Sequence, residues 1–312
     1  MVLKMTESRG PRWNELKEKG GFFPLMLMLC FYRLGGRFLC KIVLYFIILW
    51  YWIFSNTARK ASLLYLKKLH HFAQEKSPFT QAPTISQSYI HLMTFGECIL
   101  DKIEGWLGKV AEEHLVLYGH EYFRENYQKG AVIVVSHFGN IELLRAIKSD
   151  HQQRINVLVY QKHASKFNDF LKKLNAKADI HLISVDELGV ETAILLEEKL
   201  QQGEWIIIAA DRVPVQSERI EKIAFLGEIA PWPQGSWILA SLLKAPVLAV
   251  FCYRQQKKIH VHIHSIASKL HFPRQTRNQA INEVMQQYVQ LVEQHCIAAP
   301  YQWFNFYNFW NK

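Results

Sequence analysis

Apolar positions along this chain come in two textures. From Phe22 to Phe54 they run almost unbroken: thirty-three residues, FFPLMLMLCFYRLGGRFLCKIVLYFIILWYWIF, hold only three charges, Arg33, Arg37 and Lys41. That length and density predict a helix that meets lipid or is buried on every side. Further on, short β-branched runs recur at Ala131–Ser136, Ile155–Tyr160, Ile180–Ser184, Trp205–Ala210 and Pro246–Tyr253. Between and around them lie helical-looking segments, Asn140–Lys148, Ala164–Asn175 and Glu187–Gln202, and an amphipathic stretch, Arg277–Cys296, closes the series. Strands without polar alternation are covered on both faces, so the predicted fold is α/β: a central, largely parallel sheet with helices on both faces, preceded by an N-terminal membrane-associated helical segment. Lys258–His264 alternates instead, which places it toward an edge with one face wet and His260, His262 and His264 pointing the same way. A metal-ligand reading of that row lacks any accompanying carboxylate or cysteine, and a solvated strand face fits it better.

Charge changes the picture for the first segment. The 312 residues carry a formal net charge of +10, but residues 1–68 alone hold twelve Lys/Arg against three acids. Basic side chains crowded around the most apolar stretch indicate a membrane surface rather than nucleic acid, whose partners spread such residues over a folded domain. Arg33, Arg37 and Lys41 are four apart and fall in one narrow helical stripe, the layout of a helix lying at an interface with its cations toward anionic head groups. Two other arrangements fit the same residues. Phe38–Phe54, about 25 Å as a helix, spans a bilayer if Lys41 snorkels, with Arg59, Lys60, Lys67 and Lys68 holding that end in the cytoplasm. Otherwise the segment is a buried helical hairpin of a soluble protein. It lacks a small-residue cleavage pattern and reads as retained.

The predicted organisation is a basic N-terminal region, 1–73, with the membrane-associated helix at about 22–54; a linker, 74–87, rich in Ser, Thr and Gln with Pro78 and Pro83; and an α/β domain, 88–312. Five scattered cysteines with no C-x-x-C spacing suit a reducing compartment and give neither a disulfide framework nor a zinc site.

Candidate chemistry gathers where the first strong strand ends, Val134-Val135-Ser136-His137-Phe138-Gly139-Asn140-Ile141-Glu142. Sheets of this class carry their active residues just beyond the carboxyl ends of strands, and His137 stands there. Glu142 can reach His137 only if His137 is still in a turn, which Gly139 permits and which Asn140 would cap. The pair would then form a general base and a carboxylate that orients it. No nucleophile accompanies the base: the chain has no G-x-S-x-G elbow. A base alone implies that the substrate brings the attacking group, typically a hydroxyl. Neither a P-loop nor G-x-G-x-x-G is present, so ATP and dinucleotide chemistry have no support.

His137-Phe-Gly-Asn-Ile-Glu142 resembles the H-x4-[DE] signature of the lysophospholipid acyltransferase superfamily, and the chain from about residue 10 onward is similar to its branch of bacterial late acyltransferases of lipid A biosynthesis. The likeness extends to Ala210-Asp211-Arg212, to Phe225-Leu226-Gly227 with Gly235-Ser236 and Ala245-Pro246-Val247, and to Gln302-Trp303-Phe304-Asn305-Phe306-Tyr307. Two departures stand out. Many relatives have Gly where this chain has Ala210, and the F-P-E-G-T-R-type phosphate-binding motif is missing, which favours the lipid A-like branch over a simple phosphate-bearing lysolipid acceptor.

The resemblance implies acyl transfer from an acyl carrier protein or coenzyme A thioester to a lipid hydroxyl at the cytoplasmic face of the inner membrane. No cofactor or metal is implied; membrane lipids and an acyl carrier protein are the expected partners. His137 and Glu142 would be catalytic, and Gly139, Asn140, Asp211 and Arg212 would bind substrate, with the backbone N–H near Gly139 and the Arg212 side chain as oxyanion donors. For Asp211 and Arg212 the alternative is a structural ion pair. Trp232 and Trp237, which with Pro231 and Pro233 flank Gly235, shape an acyl channel or pack the core. The seven aromatics after Pro300 suggest an apolar terminal strand or helix docked near the membrane.

Overall fold

The computed structural model describes residues 22–107, 114–146, 154–159, 180–184, 190–213, 219–256 and 258–311. Seven strands form the main sheet: β1 (Leu115–Tyr118), β2 (Ala131–Val135), β3 (Ile155–Val159), β4 (Ile180–Ser184), β5 (Trp205–Ala209), β8 (Val247–Gln255) and β9 (Lys258–Ala267), in the order β1-β9-β8-β2-β5-β3-β4. A separate hairpin pairs β6 (Ile220–Phe225) with β7 (Glu228–Pro233). Every pairing in the large sheet is parallel except β8 with β9. The two central strands expected from their unbroken apolar runs, β2 and β5, sit side by side, and β2 is buried along its whole length.

Alternate residues of these strands supply two cores. Val132, Val134, Ile206, Ile208, Ala249 and Phe251 face one layer, made with α2 (Asn56–Ala73), α5 (Val190–Gln201), α6 (Gly235–Leu243) and α7 (Arg277–Ala298). Ala131, Ile133, Val135, Ile207 and Val250 face the other, with Phe123 of α4 (His120–Asn126) and with Leu143 and Leu144. Trp232 and Trp237 are fully buried in the first core, so they pack rather than line a channel. Tyr65, Leu66 and Leu69 of α2 belong to that same core, and the N-terminal region is therefore continuous with the sheet domain. The connection after α2 opens with a 3-10 turn, Gln74–Lys76, and ends at Thr84, whose N–H donates to Gln87 Oε1 (2.8 Å) at the start of α3 (Ile85–Trp106).

The apolar segment forms α1 (Phe22–Phe54), kinked at Gly35–Gly36, where Gly36 takes φ +61°. Its 28-residue part Leu27–Phe54 is long and apolar enough to cross a membrane. One side, with Tyr32, Cys40, Leu44 and Ile48, packs on α3 at Leu92, Leu100 and Ile103. The other leaves Leu34 (81% exposed), Phe38 (77%), Phe46, Trp50 and Phe54 uncovered, which excludes the fully buried hairpin.

The cations of α1 do not point as their spacing suggested. Arg37 bonds Asp101 Oδ1 (2.7 Å) and Glu104 Oε2 (2.8 Å), and Lys41 pairs with Glu97 (2.9 Å), all on α3. Arg254 at the end of β8 reaches the same Asp101 (2.9 Å) and Glu104 (3.4 Å). Carboxylates three and four apart on α3 form the partner stripe, so the charges bind helix to helix and the apolar flank is what remains outward. Arg33 alone of the three is exposed without a described ion pair.

The row on β9 also differs from expectation. With β1 outside it, β9 is second from the edge, and its histidines are half-buried rather than solvated. His262 stacks on Tyr118 (centroids 4.3 Å), and His264 Nε2 lies 3.0 Å from Nε2 of His295, a residue of α7. Burial holds His262 down to about 4 and His295 to about 3. Among the described residues no group of three or more His, Cys, Asp or Glu is placed to hold a metal ion.

Candidate active site

His137 follows β2 by two residues, and Asp211 follows β5 by two. Because Val135 and Ala209 are register partners, the parallel ladder delivers these side chains to the same level. His137 Nδ1 is 2.8 Å from Asp211 Oδ1, and the His137 backbone N–H donates to Asp211 Oδ2 (2.8 Å). An ionised carboxylate only accepts, so Nδ1 carries the proton and Nε2 is the basic nitrogen. Asp211 is completely buried, whereas the His137 side chain is 35% exposed.

Electrostatics agree with that assignment. Burial pushes His137 below its ordinary 6.5; the Asp211 carboxylate opposes this and Arg212 adds to it, so the ring is neutral near pH 7. For Asp211 burial acts upward, but attraction and hydrogen bonding from His137, with Arg212 nearby, outweigh it and bring the carboxyl down to about 2. The result is a neutral base held by a fixed anion.

The carboxylate on the imidazole is therefore Asp211's, not Glu142's. Glu142 lies on a 3-10 turn, Ile141–Ala146, where an α-helix had been expected, and its N–H donates to Asn140 Oδ1 (3.1 Å). Asn140 thus caps the turn as its residue type indicated. It is also buried, with its N–H on Cys252 O (2.6 Å) and its amide nitrogen near Cys98 O (3.4 Å). Gly139, at φ +61°, gives its N–H to Gln302 O (2.8 Å), and a Cβ there would sit 2.1 Å from Cys252 O. The N–H groups of Gly139 and Asn140 are both occupied by the protein itself, so neither is free as an oxyanion donor, and both residues build the turn. Part of the Asn140–Lys148 helix and all of Ala164–Asn175 fall outside the described residues.

Arg212 is likewise committed. Its Nε donates to Asn305 Oδ1 (2.8 Å) and an Nη to Phe304 O (3.1 Å), while its guanidinium lies over Tyr307 (6.0 Å). Arg212 and Asp211 are bridged through Asn305, whose Nδ2 donates to Asp211 Oδ2 (3.0 Å).

The segment that supplies Asn305 was expected to be a strand or helix. It is an irregular strip joined to the turn after β2: Phe138 and Trp303 form an antiparallel bridge, and Phe304 N donates to His137 O (2.7 Å). His91 on α3 holds it from behind. Trp303 O can only accept, so His91 Nε2 donates to it (2.9 Å), and Nδ1 accepts from the Ser62 hydroxyl (2.9 Å). Sequence reasoning quoted Asn305 but gave it no role. A cavity of about 730 Å³ borders this assembly at Asn140 and Gln302 and extends to Phe38, Arg37 and Arg254.

A family model described as bacterial lipid A biosynthesis acyltransferase matches residues 83–312. No curated protein matches the chain. Among solved structures, the 1-acyl-sn-glycerophosphate (LPA) acyltransferase PlsC of Thermotoga maritima is similar over 86% of this chain and 95% of its own, at 16% identity and a TM-score of 0.34.

Proposed function

Since the chain belongs to the bacterial lipid A biosynthesis acyltransferase family, and is on that ground an enzyme of lipid acylation, we propose that it transfers a fatty acyl group from a thioester, on acyl carrier protein or coenzyme A, to a hydroxyl of a lipid A precursor-like acceptor. The observation that carries this reading is the 2.8 Å contact between His137 Nδ1 and the buried Asp211 carboxylate, which leaves Nε2 as a base.

In the proposed reaction Nε2 takes the proton of the acceptor hydroxyl as its oxygen attacks the thioester carbonyl. The C–O bond forms, the tetrahedral intermediate expels the thiolate, and the imidazolium returns the proton to sulfur. Such general-base assistance is worth about 10²–10⁴ in rate; alignment and oxyanion donors supply the rest. Asp211 keeps the tautomer and stabilises the imidazolium as it forms.

The acceptor reaches this site from a membrane. The uncovered flank of α1 would place five large apolar side chains in hydrocarbon, at about 2 kcal/mol each, and the cavity running from Phe38 to Asn140 offers the head group a polar berth beside the turn. The basic residues following α1, Arg59, Lys60, Lys67 and Lys68, support a location at the cytoplasmic face of the inner membrane.

The test is to supply membranes containing the protein with an isotopically labelled acyl carrier protein thioester, or the coenzyme A thioester in parallel. Mass spectrometry then identifies the lipid that gains one acyl chain. A lipid A precursor labelled by wild type and not by His137→Ala supports the proposal. Transfer to a lysophospholipid alone would replace the acceptor, and no transfer to any lipid would make the protein a non-catalytic lipid binder.

A further inference from the structure

Asn305 is 1% exposed and has both halves of its amide in use. Its orientation is fixed by its neighbours: Arg212 has only donors, so it takes Oδ1, and ionised Asp211 has only acceptors, so it takes Nδ2. The Asp211 oxygen reached by Nδ2 is Oδ2, while Oδ1 bonds the imidazole. With the His137 backbone N–H also on Oδ2, the carboxylate is held by two donors on one oxygen and cannot rotate without losing both.

From this we infer that Asn305 is a positioning residue for acyl transfer: through Asp211 it sets the tautomer and aim of the His137 ring, and it separates Arg212 from Asp211 so that the anion is shared with the imidazole instead of being consumed by a direct guanidinium pair. The inference rests on His137 being the base of the proposed reaction. An amide satisfies both neighbours, whereas a carboxylate at 305 would face Asp211 with like charge and an apolar residue would take one of two donors from Asp211 Oδ2 and the acceptor from Arg212 Nε.

The test uses the full-length protein in detergent, and two measurements that a purely structural residue would not move. First, carbethoxylation of His137 by diethyl pyrocarbonate, followed by peptide mass spectrometry across pH, reports the protonation of its ring without any substrate. Asn305→Asp adds negative charge beside the imidazolium and is expected to raise the midpoint by about one pH unit. Second, Asn305→Ala is expected to lower kcat about 10²-fold with KM within twofold, at a folded fraction matched to wild type by thermal melting. His137→Ala run beside them separates failure of the base assignment from failure of the role given to Asn305. If His137→Ala keeps wild-type activity, the base assignment fails and this inference goes with it. If His137→Ala is inactive while Asn305→Ala keeps kcat and neither Asn305→Asp nor Asn305→Ala moves the His137 midpoint, Asn305 is structural and the inference alone is overturned.

Discussion

His137 and Asp211 meet because their strands do: each stands two residues beyond a β2–β5 register pair, and the 2.8 Å bond between them closes a gap that spans 74 positions of sequence. Replacing the acid should therefore cost more than replacing the nearer carboxylate. Asp211→Asn leaves shape intact but lets Nδ1 lose its proton to the wrong tautomer, and kcat is expected to fall about 10²–10⁴-fold. Glu142→Gln is expected to stay within about tenfold. Steady-state acyl transfer by the two purified variants decides the order.

Gly139 gives a sharper structural test. A methyl group there meets Cys252 O at 2.1 Å on a backbone already at φ +61°. Gly139→Ala is expected to destabilise the protein by about 3 kcal/mol or more and to displace His137, which a thermal melt combined with the activity assay would show.

Asp101 is the hub at which α1, α3 and β8 are joined, accepting from Arg37 and Arg254. Removing it leaves two partly buried cations sharing Glu104 as their ion-pair partner among the described residues. Asp101→Ala is expected to cost about 3–5 kcal/mol. Limited proteolysis near the α1–α2 junction should accelerate, since α1 loses one of its polar attachments to α3. Equal cleavage rates in wild type and variant would refute this.

Stability should fall on the acid side. Burial lowers His91 and His295 each to about 3 in the folded protein, against 6.5 when unfolded. In the window between those values the unfolded chain binds more protons, so stability present above pH 6.5 is lost as pH falls toward 3. At pH 5.5 each residue is expected to contribute about 1.4 kcal/mol of destabilisation. Melting temperatures at pH 7.5 and 5.5 measure the difference, and His91→Gln should reduce it.

Much of the fold was legible because burial writes itself into composition. AVIVV and WIIIA can only be strands covered on both faces, and they are β2 and β5. The position of His137 followed from the same pattern. What the sequence could not show was which strand lies beside β2, since strand order depends on crossovers and not on the strands' own residues. Asp211 was therefore seen as a strand-end acid and assigned to substrate, while the local Glu142 received its role. A usable signal was present: His137 and Asp211 follow the ends of their β-branched runs by the same offset. The cations of α1 misled for a related reason. Spacing fixes the stripe they share, but the acids that claim them, Glu97, Asp101 and Glu104, lie on another helix.

The strip from Gln302 to Asn305 has a consequence for biosynthesis. It is translated long after β2 and β5, yet it supplies the bridge to Phe138 and the amide on Asp211. A chain growing from its N-terminal end can thus pair β2 with β5 while the imidazole is still unaligned, and the His137–Asp211 contact gains its brace only once Asn305 has been added.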